Sequence, residues 1–180
     1  MKAGKTAAWI WAYRPGKGTG ALNITVVAVG KVREKYIVSG IREYQKRLAA
    51  YCRLSIIEVP GQRAPENLSR LQLEEVKDKE GQDIIRQIKP GSHVIALDIR
   101  GRSRSSEDMA DYMNRLTLGG SSSIVFIIGG SNGLSDRVLQ RADMKLSFSS
   151  MTFPHQLMRL VLLEQVYRWF KINRGEPYHK

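Results

Sequence analysis

Hydrophobic positions along this chain follow two alternating periods. From Asn23 onward, short continuous apolar runs alternate with longer segments that are apolar at every third or fourth position, which predicts strands and helices in turn. Ile24-Thr25-Val26-Val27-Ala28-Val29 is largely β-branched and closes at Gly30, as in a strand buried on both faces. Residues 34–50 place Tyr36, Ile37, Ile41, Tyr44 and Leu48 at helical spacing. A second strand over 54–59 is closed by Pro60-Gly61. A loop through Pro65 leads to Ser69, whose partner Gln72 three residues on makes a capping box for a helix to about residue 88. Lys89-Pro90-Gly91 breaks that helix, and 93–99 reads as a third strand ending near Gly101. Ser105 or Ser106 caps a helix to about residue 118, and 123–128 is the fourth strand. Ser135 caps a short helix and 144–148 is a short fifth strand. Pro154 opens the last helix, which runs to about residue 173.

This alternation implies an α/β fold: a mainly parallel sheet with helices on both faces. The last helix is apolar on more than one face, through Leu157, Leu160, Leu162, Val166, Trp169 and Phe170. Such a helix needs two partners. The sheet supplies one, and a second protomer is the expected other. Residues 1–21 carry Trp9, Trp11 and Tyr13 without a regular period and end in Arg14-Pro15-Gly16-Lys17-Gly18-Thr19-Gly20, a linker composition. They are expected to be an unstructured extension, with 22–180 as one domain.

Composition narrows the functional classes. The hydrophobic fraction of 42% fits a globular protein with a real core. The net charge is +12, and without residues 1–22, which hold four cations and no acid, 25 Lys and Arg still face 17 Asp and Glu, or +8. The body is therefore basic by itself, which favours a polyanionic partner such as nucleic acid. Cys52 is the sole cysteine, so no intramolecular disulfide forms, and no Cys/His cluster suggests a metal. No apolar run reaches the length of a membrane span and no secretory signal is clear, so a cytoplasmic location is the default.

Candidate chemistry concentrates in the last third. The fourth strand breaks into Gly129-Gly130-Ser131-Asn132-Gly133. Glycines at a strand end let the backbone approach a ligand closely. The same run fits the G-x-S-x-G elbow of hydrolases, with Asp136 or Asp143 and then His155 or His179 in the right order. It also fits a plain strand-to-helix turn. A second small-residue loop, Leu146-Ser147-Phe148-Ser149-Ser150-Met151-Thr152-Phe153-Pro154-His155, could form the other wall of one crevice. Asp98 suits either a ligand or a turn cap, and Arg100, Arg102 and Arg104 suit either solvent or phosphate. Tyr178-His179-Lys180 combines an aromatic plane, an imidazole and a cation, the groups that base stacking and phosphate contact require.

From about Leu22 to Lys180 the chain resembles the RlmH family of the SPOUT superfamily, the pseudouridine N3-methyltransferases of the large ribosomal subunit. The matching segments include Val29-Gly30-Lys31, Ile57-Glu58-Val59-Pro60, Lys79-Glu80-Gly81, Ala96-Leu97-Asp98-Ile99-Arg100-Gly101, Ile128-Gly129-Gly130-Ser131-Asn132-Gly133-Leu134, the run from Leu146 to His155, Glu164-Gln165-Val166-Tyr167-Arg168 and Pro177-Tyr178-His179-Lys180. The resemblance implies a C-terminal trefoil knot, a homodimer and S-adenosylmethionine as methyl donor, with no metal. It places the donor at Leu97, Gly129, Gly130 and the loop Phe148, Ser149, Ser150, Met151, Thr152 and Phe153, and makes Ser131 a loop residue rather than a nucleophile. The implied substrate is a pseudouridine in helix 69 of 23S rRNA within the assembled ribosome. Its N3 proton must leave. His179 is the candidate base, Tyr178 stacks on or orients the nucleotide, Arg159 or Arg168 holds charge, and His155 is the alternative imidazole. Family members begin close to Leu22. A leucine at the family's initiator position points to a non-ATG start codon, with an upstream stretch that is not native.

Overall fold

The computed structural model describes residues 9–12, 22–62, 65 and 67–178. Elements follow in the order β1 (Trp9–Ala12), β2 (Asn23–Val29), α1 (Lys35–Leu48), β3 (Arg53–Val59), α2 (Arg70–Arg86), β4 (His93–Ser103), α3 (Ser106–Leu118), β5 (Ser123–Ile128), α4 (Asp136–Arg141), β6 (Met144–Ser147) and α5 (His155–Asn173). The sheet order is β1-β3-β2-β5-β4-β6, with the five strands from β3 to β6 mutually parallel. Their carboxyl ends therefore share one edge of the sheet, where open α/β folds bind ligands.

Each strand alternates between two apolar layers. Ile24, Val26 and Ala28 point to one face with Ile56, Ile95 and Phe126, under α1, α3 and α5. Val27, Val29, Val94 and Ile127 point to the other, where Ile84 of α2 and Val138 of α4 complete a smaller core. The helix starts are set by side chains that replace missing backbone acceptors. Ser69 with Gln72 and Ser105 with Asp108 both form complete capping boxes, and Ser135 accepts from Val138.

Three features depart from expectation. Trp9–Ala12 pairs antiparallel with the outer edge of β3, Trp9 opposite Glu58 and Ala12 opposite Ser55, so these four residues are not unstructured. An exposed strand edge offers a row of open N–H and C=O groups, and almost any extended segment can satisfy it. Strand β4 does not stop near Ile99. It bulges after Leu97 and resumes its pairing with β6 at Arg102. Gly101 lies in that bulge, where an added Cβ would stand 2.7 Å from the Lys145 carbonyl carbon. Finally, α5 finds both partners within one chain. It lies between α1 and α3 over β2 and β5, leaving Leu162 0% and Trp169 2% exposed. Trp169 meets Phe126 with ring centroids 5.9 Å apart, and Gly40 of α1 lets Leu160 approach closely. Leu162 and Trp169 therefore need no second protomer to cover them, while Leu157, Leu160, Val161 and Phe170 stay partly exposed.

Candidate active site

The carboxyl ends of β4, β5 and β6 border a cleft of about 810 Å³. Its floor is Leu97, Ile128 and Leu146, one residue from each of three neighbouring strands. One wall is the turn after β5. Gly133 takes φ +80° and its N–H donates to the Gly130 carbonyl at 3.1 Å, folding 129–133 back on itself. At Gly129 an added Cβ would stand 2.9 Å from the Gly133 carbonyl carbon, so a side chain there would force the turn open. The opposite wall is the loop between β6 and α5. Ser147 Oγ donates to the Ser149 carbonyl at 3.1 Å and Ser149 Oγ accepts the Met151 N–H at 2.9 Å, so two serines fix that loop's path.

Of the donor residues expected from sequence, Leu97, Gly129, Gly130, Phe148, Ser149, Met151, Thr152 and Phe153 all line this cleft. Ser150 does not. It is exposed at the tip of the serine turn, between the two residues the turn bonds together. Lys77, Asp98, Arg100 and Met158 also line it. Lys77 comes from α2, on the far face, and no periodicity in the sequence could have placed it there. Asp98 accepts the Arg100 N–H at 2.7 Å, so it shapes the β4 bulge while facing the cleft.

The proposed catalytic side chains are not gathered at one place. His155 lines the cleft, and burial, followed by the positive charge of Arg159, lowers its pKa, which favours the neutral imidazole. Arg159 lies wholly inside the protein. One guanidinium nitrogen donates to Glu58 at 2.6 Å and another to the carbonyls of Val29 at 2.7 Å and Gly30 at 2.8 Å. It touches no cleft surface. Its apolar neighbours Met158, Leu162 and Leu163 carry it into the core, where it ties α5 to the ends of β2 and β3.

Arg168 and Tyr178 form a separate cluster. Tyr178 donates to Glu164 at 2.8 Å, meets the Tyr167 ring edge-on at 5.2 Å, and lies 4.4 Å under the Arg168 guanidinium. Arg168 also donates to Glu164 at 2.8 Å. Burial, then hydrogen bonding to Tyr44 and Glu164, raises the Tyr178 pKa, so its hydroxyl keeps its proton. Glu164 and Arg168 stand 9 and 13 residues beyond His155 on α5. At 1.5 Å per residue that is roughly 14 and 20 Å along the helix. The tail and the cleft are thus apart within one chain. His179 lies outside the described residues.

Ser131 and His155 line the same cleft at the carboxyl edge, but Asp143 cannot complete a hydrolase triad with them, because it accepts the Val94 N–H at 2.7 Å at the opposite edge of the sheet. His93, at that same far edge, is bonded to Tyr112 at 2.7 Å and serves structure.

The family model described as "Predicted SPOUT methyltransferase" matches residues 22–179. The chain belongs to the SPOUT methyltransferase family. This SPOUT methyltransferase is an enzyme of methyl transfer. It is 59% identical over 159 residues to "Ribosomal RNA large subunit methyltransferase H" of Clostridioides difficile (strain 630), covering 88% of this chain and 100% of the relative. The protein of the same name from Bacillus pumilus (strain SAFR-032) is 57% identical with the same coverage. A probable methyltransferase structure from Bordetella pertussis Tohama I shares the fold, with a TM-score of 0.52 at 11% identity over 83% of this chain and 97% of that one. Among the described residues of this SPOUT methyltransferase, no helix is long and apolar enough to cross a membrane. Nor do these residues place three His, Cys, Asp or Glu side chains together around a metal position.

Proposed function

We propose that this enzyme transfers a methyl group from S-adenosylmethionine to N3 of a pseudouridine in helix 69 of 23S rRNA, acting in the cytoplasm on the assembled ribosome. The observation that carries this reading is the 59% identity over the full length of a relative named for large-subunit ribosomal RNA methylation. The cleft supports it independently, because its residues suit the donor's chemistry. Leu97, Ile128, Leu146, Phe148 and Phe153 offer an apolar seat for a flat base. The main-chain groups of 129–133, with Lys77 and Asp98, face the same space and suit hydroxyl, carboxylate and ammonium groups.

When bound, the donor supplies a methyl group on a sulfonium, which leaves with neither of the bonding electrons as N3 contributes its own pair and the sulfur becomes a neutral thioether. The protein's part is to position and to manage one proton. The serine-fixed loop and the glycine turn hold two rigid walls, which restricts the approach of the acceptor. A neutral imidazole at His155 can accept the N3 proton from the cleft mouth. His179 is the other candidate base, reached through the tail. Since Tyr178 sits two to four helical turns from the cleft of its own chain, we place the tail at the cleft of a second protomer in a homodimer. The passage from β6 over the cleft into α5 fits the trefoil knot that the family resemblance implies.

The test is transfer of labelled methyl from S-adenosylmethionine to purified ribosomes and, in parallel, to protein-free 23S rRNA. Label should enter ribosomes and map to helix 69. Equal transfer to free rRNA, or label elsewhere, would refute the substrate; no transfer to any RNA would refute the activity.

A further inference from the structure

Beside the first cleft lies a second, of about 490 Å³, at the carboxyl ends of β2 and β3. Gly30, Lys31 and Arg33 form one side, Val59, Pro60, Gly61 and Gln62 the other, and His155 with Gln156 closes the end toward the first cleft. His155 lines both spaces. We propose that this second cleft seats the acceptor nucleotide, with its base toward His155 and the flanking phosphates on Lys31 and Arg33. The inference rests on the reading of the enzyme as an RNA methyltransferase and adds to it the place where RNA enters.

The second cleft is held in shape by two buried ionic groups. Arg159 grips the carbonyls of Val29 and Gly30 on one side. The carboxylate it pairs with, Glu58, also accepts the Val32 N–H at 2.9 Å, fixing the start of the basic segment. On the other side Glu80 of α2, 5% exposed, accepts the Gln62 N–H at 2.8 Å. Its second oxygen is buried without a partner among the described residues and lies near Gly130, in the wall of the first cleft. Burying a charged or unpaired polar group is unfavourable by several kcal/mol in general. Here two such groups converge on one indentation and on the backbone that joins it to the donor cleft.

The chemistry of the rim suits a nucleotide. Gly30 takes φ +80°, and an added Cβ there would meet His155 Nε2 at 3.8 Å, an ordinary contact, so the imidazole stands beside this turn. Arg33 is anchored through its own N–H, which donates to Gln156 at 2.8 Å, while the side chains of Lys31 and Arg33 are exposed. Two exposed cations two residues apart on an anchored segment offer the charge that phosphate contacts use. His155 borders both spaces, so a nucleotide held at this rim can extend its base past the imidazole toward the donor cleft, where acceptor and methyl must come into direct contact for transfer.

Two variants test this. Lys31→Glu/Arg33→Glu reverses two exposed side chains, and its melting temperature checks that the fold is kept. In Gly61→Leu the added Cβ would meet Val29 and Gly30 at 3.6 and 3.7 Å, an ordinary contact, and the rest of the side chain fills the second cleft. Donor affinity is measured by calorimetry with S-adenosylmethionine, acceptor KM by labelled-methyl transfer to purified ribosomes, and ribosome affinity by co-sedimentation. Both variants should keep donor affinity within about twofold and raise acceptor KM by about tenfold or more, with a shallower salt dependence in the charge-reversed one. Ribosome affinity and KM at wild-type values in both variants would overturn the proposal. So would loss of donor affinity in the charge-reversed variant, since the second cleft would then belong to the donor. If the wild-type enzyme methylates no RNA, the functional reading fails, and co-sedimentation of the variants still decides whether RNA enters here.

Discussion

Arg159 offers the sharpest test of how this structure is held together. Replacing it by Met removes three hydrogen bonds and leaves the Glu58 carboxylate, 8% exposed, facing an apolar side chain. The carbonyls of Val29 and Gly30 lose the same partner. Breaking one member of a buried pair generally destabilises by about 3–5 kcal/mol, because the remaining charge stays buried. For a chain of this length each kcal/mol lowers Tm by about 2–4 °C, so Arg159→Met should melt roughly 6–20 °C lower. Adding Glu58→Gln removes the stranded charge. The double variant should therefore recover part of the loss, with a coupling on the order of 1–3 kcal/mol in a double-mutant cycle. Urea unfolding of the four proteins at pH 7.5 measures all of these. A loss below about 1 kcal/mol in Arg159→Met, or strict additivity, would show that the buried ion pair does not fasten α5 to the sheet. Normal stability with abolished methyl transfer would return Arg159 to the catalytic role first expected from sequence.

Three further outcomes follow from the same geometry. Gly129→Val places a branched side chain against the Gly133 backbone, 2.9 Å from its carbonyl carbon, and should abolish S-adenosylmethionine binding in calorimetry while the protein still melts cooperatively. Deleting 178–180 should leave donor affinity intact and collapse methylation of ribosomes; normal methylation would reduce the tail to packing on Glu164 and Arg168 and favour His155 as the base. His93 and His155 both have lowered pKa values, chiefly from burial. An unfolded histidine titrates near 6.5, so below about that pH the unfolded state binds more protons than the folded one. Stability should be complete above that value and fall with pH through the window from about 6.5 down toward the folded values, and His155→Gln should flatten part of that slope in Tm measured against pH.

The sequence made most of the scaffold legible because each element carried its own local signal. Ser69 with Gln72, Ser105, Ser135 and Pro154 marked helix starts that the structure places within a residue or two. Runs of β-branched residues marked strands buried on both faces. The first cleft was also within reach, since its walls are two loops with glycine or serine at strand ends. What escaped was anything decided by pairing across long separations. Arg159 read as a cation on a helix near a histidine. Its position among Met158, Leu162, Leu163 and Val166, all buried, was the available sign that it must be buried and paired. Its partners are 101 to 130 residues away, and no local pattern names them. Lys77, Lys31 and Arg33 were missed for the same reason. The pairing of Trp9–Ala12 depends on an open edge of β3, which is a property of the sheet rather than of those four residues.

The separation of 130 residues between Val29 and Arg159 also bears on how the chain is made. At synthesis rates of about 5–20 residues per second, the end of β2 is complete roughly 7–26 s before Arg159 is added. During that interval β2 and β3 can pair with each other and Glu58 can accept the Val32 N–H, but its charge and the two carbonyls at the strand ends lack the guanidinium. The clamp that shapes the strand ends closes only when α5 has left the exit tunnel. A product truncated before Arg159 would display a carboxylate without its cationic partner where the finished protein holds a buried ion pair.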